Sequence, residues 1–566
     1  MVEARSDTAQ LRSWLGRIAV VTLSVSATLA LCAPQAQAGG RRARLSDDLV
    51  RRIADGDAAA TDVIVTGTRS TVDALAARHG LTLKRRLKTG AVLTVPAGRL
   101  AAVADDASLD QMSGDHDVRS TMAVTNIAIG ADQVWAGIAG LPGVDGSGVG
   151  VAIIDSGVST HQALKGRVLA SVDFTREKGG NGKDEYGHGT HVAGIVAAAG
   201  RNAWDDTTGV APGAHLVSLK VLGADGSGKT SDVIDAIDWT IANKDQYRLR
   251  VINLSLGHPV MESYKDDPLG QAVERAHRAG LVVVASAGNL GKLEDGTQVI
   301  GGITSPGNSP YAITVGALNT KGTAYRSDDV VATYSSKGPT PYDMLIKPDL
   351  VAPGNKIRSL LAPGSTLAKE HPELVVGAGN DAQLELSGTS MAAAVVSGAV
   401  ALMVGLESAI RPVELLIATQ LSSSRVADFG LLQAGTGSLN VASAIGFISS
   451  GDSHPVEIAG ELVRAQGLIS VAQDLGVEPS GLFLSDGVIW GNGVIWGNGV
   501  IWGNGVIWGN GVIWGNDVSS AEGVIWGNLM ALADVVIWGN GVIWGNGVIW
   551  GNGAICSNGA VTADGN

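Results

Sequence analysis

From Gly148 onward, short apolar runs alternate with helical patterns, and this alternation limits the fold more than any other feature. "GVGVAIIDSG", "HLVSLKVLG", "RVINLSLG", "GLVVVASAGN" and "AITVGAL" are rich in β-branched residues and end in small ones. "HVAGIVAAAG", "SDVIDAIDWTIANK" and "PLGQAVERAHRAG" separate most of them and have helical periodicity. A strand with one wet face alternates apolar and polar residues, so runs this apolar must be covered on both faces. Strands of that kind alternating with helices predict an α/β fold, a parallel sheet with helices on both faces. Ligand sites in such folds lie beyond the carboxyl ends of the strands. Chemistry is therefore sought in the residues that follow each run.

Four residues there form a constellation. Asp155 follows "VAII", His188 opens the helical stretch "HGTHVAG", Asn289 follows "VVVASAG", and Ser390 opens the apolar helix "SMAAAVVSGAVAL". A serine hydroxyl is a poor nucleophile unless an imidazole takes its proton, and a buried carboxylate sets the tautomer of that imidazole. An anionic tetrahedral intermediate needs donors aimed at its oxygen. A helix N-terminus offers the Ser390 N–H, and the Asn289 amide offers a second.

With these motifs in chain order, residues 120–450 closely resemble the subtilisin-like serine peptidases (subtilases, peptidase family S8). "IIDSGV", "HGTHVAG", "GVAPGAHLVSLKVLGADGSG", "INLSLG", "ASAGN", "SPGNSPYAITVGA", "YSSKGP", "KPDLVAPG" and "SGTSMA" carry the resemblance. It implies a seven-stranded parallel sheet and peptide-bond hydrolysis through an acyl-enzyme. By resemblance, Asp155 orients His188, His188 serves as general base and then general acid, Ser390 attacks, and Asn289 completes the oxyanion hole. His191 is read as structural. Ser255, Leu256 and Gly257 are expected to pair with the substrate backbone and wall the first specificity pocket. Ala287 and Gly288 are expected to line its floor or opposite wall. Small residues there suggest room for a large apolar side chain. The competing reading is a catalytically inactive subtilisin-fold protein that binds surfaces or acts in adhesion.

The sequence departs from the family pattern in two places. Ala394 and Val395 stand where the segment after the nucleophile usually has Pro and His, a change expected to affect stability slightly and chemistry not at all. Ala163 stands where several members have a calcium-ligating Asp, and alanine offers a hard cation no side-chain oxygen. No cofactor is required by the chemistry and no metal ligands are assigned; calcium remains possible, with its usual tight site in doubt. Asp205 and Asp206 are a second place for an ion or simply a solvated loop.

The flanks extend the picture. Residues 1–38 read as a signal peptide, with a basic start, an apolar stretch from Ile18 to Ala33 and a small-residue site at Ala36-Gln37-Ala38. A retained anchor is the alternative. No later stretch is read as long and apolar enough to span a bilayer. The protein is therefore expected to be secreted or on the cell surface. Its net charge of −13 argues against a nucleic-acid partner. Of two cysteines, Cys32 lies in the signal and Cys556 is left alone, so no intramolecular disulfide is expected. Residues 39–60 read as a linker. Residues 61–118 read as a small α/β domain, with "DVIVTGT" and "GAVLTVPA" as strands and "STVDALAARHG" and "AGRLAAVADDASL" as helices. Ser70 is placed to cap the first of these helices and Gly80 to close it. By resemblance this is an inhibitory propeptide whose last strand adds to the active-site cleft, and self-cleavage is expected between about Asp117 and Thr125. Protein or peptide substrates and the propeptide are thus the expected partners.

Residues 451–480 read as a short helical connector. "GVIWGN" follows, starting at Gly487 and holding nine of the thirteen tryptophans. "GLFLSD", "DVSSAE", "LMALAD" and "GAICSN" keep the six-residue frame, so thirteen units span 481–558, before a tail at 559–566. Val-Ile-Trp favours strand and Gly-Asn-Gly favours a turn. A β-solenoid, a short-stranded meander, or a low-complexity product of duplication all fit. Cell-surface binding or self-association is the expected role of the repeat.

Overall fold

The computed structural model describes residues 43–475 except 55, 57–58, 116–120, 139, 176–181, 200–207 and 452–453, and the strand backbones between 481 and 562. The expected signal peptide and the Asp205–Asp206 pair lie outside the described residues. The chain divides into two compact units, 1–118 and 119–566.

The first unit is a five-stranded sheet with three helices. The expected linker is structured: strand Arg44–Leu45 joins this sheet, and helix Asp47–Ala54 buries Leu49 in its core. Strand Thr82–Leu87, "TLKRRL", was not expected, because an exposed edge strand carries charges in place of alternation. The helix Arg69–His79 is capped by Thr68, whose Oγ1 accepts from Thr71 N at 3.3 Å, rather than by Ser70, which lies inside it. Gly80 closes it at φ 63°, a conformation costly for other residues. The second helix is shorter than expected, Leu100–Ala104. The last strand, Gln111–Gly114, is paired on both sides, by Arg44–Leu45 and Thr61–Thr66. Thr61–Thr66 pairs with Met112, Ser113 and Gly114 on one edge, and Arg44–Leu45 covers only Gln111 and Met112 on the other.

The second unit is built on the expected parallel sheet. Seven strands run parallel, in the order Val168–Asp173, His215–Lys220, Gly150–Asp155, Leu249–Leu254, Val282–Ser286, Ala312–Asn319 and Leu350–Pro353. A two-residue strand, Val330–Val331, adds antiparallel to Ala312–Asn319. Successive side chains in a strand point to opposite faces, and both faces here are dry. Val151, Ile153, Val251, Val282 and Val284 enter one core with the helices His188–Ala197 and Thr389–Leu406. Ala152, Ile154, Ile252, Leu254 and Val283 enter the other with Thr230–Asn243 and Pro268–Arg278.

Helix Thr389–Leu406 has a mean hydropathy of 1.9, long and apolar enough to cross a membrane, which corrects the expectation that no such stretch follows the signal. It is the central helix of the core, 83% buried, and Ala394 and Val395 are fully buried within it. The expected helical connector is instead a hairpin, Val456–Ile458 with Glu461–Val463, followed by strand Leu468–Val471.

The repeat forms one short strand per unit. From Gly487 on, strands pair in parallel with the strand twelve residues on, as in Gly487↔Gly499 and Gly493↔Gly505, whereas the first unit, Gly481–Leu484, pairs antiparallel with Leu468–Val471. A meander would pair neighbouring units antiparallel. Here alternate units build two sheets, of seven and six strands, so the array is a β-solenoid with two units per turn. "DVSSAE", "LMALAD" and "GAICSN" enter the six-stranded sheet, and the unit at Val535 enters the seven-stranded one. The seven-stranded sheet keeps tryptophan at six successive register positions, from Trp490 and Trp502 to Trp538 and Trp550. Ala560–Thr562 pairs with Val548–Trp550, so the expected tail begins as a fourteenth unit.

Candidate active site

Asp155 is the last residue of strand Gly150–Asp155 and is wholly buried. A buried carboxylate needs donors. It has Ser156 N at 2.7 Å and His188 Nδ1 at 2.8 and 2.9 Å from its two oxygens. Asp155 can only accept, so Nδ1 carries the proton and Nε2 keeps its lone pair. Burial opposes protonation of His188, but the charge and hydrogen bond of Asp155 outweigh it and raise the imidazole pKa. The ring keeps 16% of its side chain exposed, which makes its outer edge accessible.

His191 lies one helical turn on and is structural, as expected. Its Nε2 lies 3.1 Å from Ile357 O and 2.9 Å from Leu384 O, and burial pulls its pKa down to about 3. It is neutral near pH 7.

Ser390 is the second residue of helix Thr389–Leu406. Its hydroxyl donates to Ser255 O at 3.1 Å. Asn289 Oδ1 accepts from Thr389 N at 3.0 Å and from Thr389 Oγ1 at 3.1 Å. Those bonds fix the amide orientation and leave Nδ2 to face the helix end. A Cβ placed on Gly388 would lie 3.5 Å from Asn289 Nδ2 and 3.7 Å from Ser390 N. The two donors therefore converge on one small space, as stabilisation of an oxyanion requires.

His188, Ser255, Leu256 and Gly257 line one cleft of about 410 Å³, together with Leu222, Tyr186 and the segment 226–230. Ala287 and Gly288 stand apart from that lining. Ala287 is fully buried, and its N–H and C=O are engaged by Val315 O and Thr304 N. Sequence reasoning missed Thr304. A Cβ on Gly257 would meet Thr304 Oγ1 at 2.8 Å, and one on Gly288 would meet Thr304 Cγ2 at 2.8 Å. Much of the room suggested by two glycines is thus occupied by this side chain. Thr304 has no motif of its own, because the chain fold alone brings it between residues 257 and 288. Asp184 was also missed. It is 1% exposed and accepts from Ser156 Oγ, Gly187 N and Thr190 N. A helix starting directly after a glycine was the available signal, since glycine has no side chain to cap it.

Known proteins match the same region. A model described as the subtilase family, Peptidase_S8, matches residues 146–434. Serine protease AprX of Bacillus subtilis (strain 168) is 40% identical over 264 residues, 46% of this chain and 57% of AprX. The match therefore spans little more than half of AprX. Subtilisin Savinase of Lederbergia lenta is 36% identical over 274 residues, 48% of this chain and 82% of that protein. A solved structure described as a cold adapted subtilisin-like serine proteinase is 28% identical, with a TM-score of 0.41, over 55% of this chain and 97% of the other.

Proposed function

The chain belongs to the subtilase family, and on that premise we propose that it is an exported serine endopeptidase made as a self-processing zymogen. The observation that carries the reading is the buried Asp155 within 2.9 Å of His188 Nδ1, on a cleft shared with Ser255 beside Ser390. In this mechanism His188 Nε2 takes the Ser390 proton as Oγ attacks the peptide carbonyl. Asn289 Nδ2 and Ser390 N receive the developing oxyanion. His188 then returns the proton to the leaving amine, and water repeats the sequence on the acyl-enzyme.

The first unit is proposed as the inhibitory propeptide. Met122, Ala123 and Val124 are buried in the helix Thr121–Ala128, which a protease site cannot accommodate without unwinding. The scissile bond is therefore placed at or before Thr121, the N-terminal part of the expected window. Residues 1–38 are proposed to direct export, and the solenoid to hold the enzyme at a cell surface or to another copy.

A serine-directed fluorophosphonate should label Ser390 in the purified protein. Ser390→Ala should abolish casein hydrolysis and retain the first unit. Labelling elsewhere, or loss of the first unit from purified Ser390→Ala, would overturn the enzymatic or the self-processing part of the reading respectively.

A further inference from the structure

Helix His188–Ala197 starts on the proposed general base, and its cap residue, Gly187, offers no side chain. The first N–H groups of a helix have no partner within it and need one from outside. Asp184 is that partner. Gly187 N donates to Asp184 Oδ1 at 2.7 Å, and Thr190 N donates to Asp184 Oδ2 at 2.8 Å. Ser156 extends the same network. Its hydroxyl donates to Asp184 Oδ1 at 2.8 Å and accepts from Gly189 N at 2.9 Å, while Ser156 N donates to Asp155 Oδ1. One buried carboxylate therefore grips the residue before His188, the second residue after it, and the serine that holds Asp155.

The segment carrying Asp184 is clamped in turn. Lys220, 2% exposed, donates from Nζ to Lys183 O at 3.0 Å and to Glu185 Oε2 at 2.8 Å, the residues on either side. Lys220 is the register partner of Asp155 on the neighbouring strand. The general base, its carboxylate and Asp184 are thus tied to two adjacent strands of the sheet.

We propose that Asp184 is a positioning residue for His188, fixing the imidazole against Asp155 through the helix N-terminus and Ser156 and placing a second negative charge behind it. The inference rests on the peptidase reading. The charged and titratable groups acting on the ring are Asp155, Asp184 and His191, with Lys220 and Glu185 behind Asp184. The Asp184 charge is among those that raise the His188 pKa; burial pushes the Asp184 carboxyl itself up, and the hydrogen bonds from Thr190, Gly187 and Ser156 oppose that shift.

The test uses the full chain and a fluorogenic peptide. Asp184→Asn keeps the shape and removes the charge. It should lower kcat about tenfold to a hundredfold, leave KM unchanged, and move the acid limb of the kcat/KM profile to lower pH. An unmoved limb, or a loss expressed in KM alone, overturns the proposal, since a residue that only supports the fold would give either. Ser156→Ala is the second variant, and the one that decides if Asp184→Asn does not fold. It breaks the bridge to Asp155 while both carboxylates stay, so kcat should fall with the limb in place. Unchanged kcat overturns the bridge. If the unaltered chain neither cleaves peptide nor takes fluorophosphonate, the peptidase reading itself fails, by a measurement the variants do not enter.

Discussion

Ser390 and Ser255 exchange hydrogen bonds: Ser390 Oγ donates to Ser255 O at 3.1 Å, and Ser255 Oγ donates to Ser390 O at 2.8 Å. The proposed nucleophile thus rests on a backbone carbonyl, and in the proposed mechanism its hydrogen bond has to turn to His188 Nε2 before attack. Asn253 Nδ2 donates to Ser255 Oγ at 2.9 Å, and Ser397 Oγ to Asn253 Oδ1 at 2.9 Å, so the pair ends a buried polar chain. Ser255→Ala should leave Asn253 Nδ2 unpaired and cost about 1–3 kcal/mol. The Ser390–Ser255 carbonyl bond survives that change, so kcat should fall less than tenfold. Thermal unfolding and peptide hydrolysis on one preparation check both.

Gly388→Ala probes the space between the oxyanion donors. Gly388 has extended backbone, φ 170°, which alanine adopts freely. Its methyl would make ordinary contacts with Asn289 Nδ2 and Ser390 N and stand where the oxyanion docks. Loss of one such donor costs about 10²–10³ in kcat, a magnitude known from this family. A similar fall in kcat with unchanged thermal stability is expected; full activity would remove Asn289 from the site.

Asp329 makes stability depend on pH. It is 6% exposed, its Oδ1 has no partner, and burial pushes its pKa up to about 7, against the opposing charge of Arg326. Between about pH 4 and pH 7 the unfolded chain releases a proton that the folded chain keeps. Stability from this group therefore falls as pH rises through that window and levels off above it. Asp329→Asn should be more stable than the parent at pH 8, by up to roughly 4 kcal/mol, and the difference should vanish below pH 4. Denaturant melts at three pH values test the sign.

The solenoid has a period of twelve residues, not six. Deleting residues 499–510 removes one turn and keeps every downstream unit in its own sheet. Deleting residues 499–504 moves every downstream unit to the other sheet and sends "DVSSAE" and "LMALAD" into the tryptophan row. The first deletion should leave the tail resistant to added protease and the second should not. Equal resistance would refute the two-sheet register.

Much of this protein is legible in its sequence because the signals are local. Unbroken apolar runs such as "VAIID" can only be strands covered on both faces, and a helix starting at Thr389 after Gly388 predicts exposed N–H groups near Ser390. The six-residue frame is likewise visible without a structure. Other features arise only when distant segments meet. Lys220 grips the residues beside Asp184 across adjoining strands, and Thr304 enters the gap between Gly257 and Gly288, placements with no sequence period behind them. The linker reading failed at Arg44–Leu45 because a two-residue strand has no pattern, only a partner 67 residues on. The sequence by itself determined the sheet, the order of the reacting residues and the repeat length, because each follows from the chemistry of neighbouring residues. Tertiary structure alone decided the resting partner of Ser390, the second carboxylate behind His188 and the pairing of repeat units twelve residues apart, because hydrogen bonds and strand pairing are made in space.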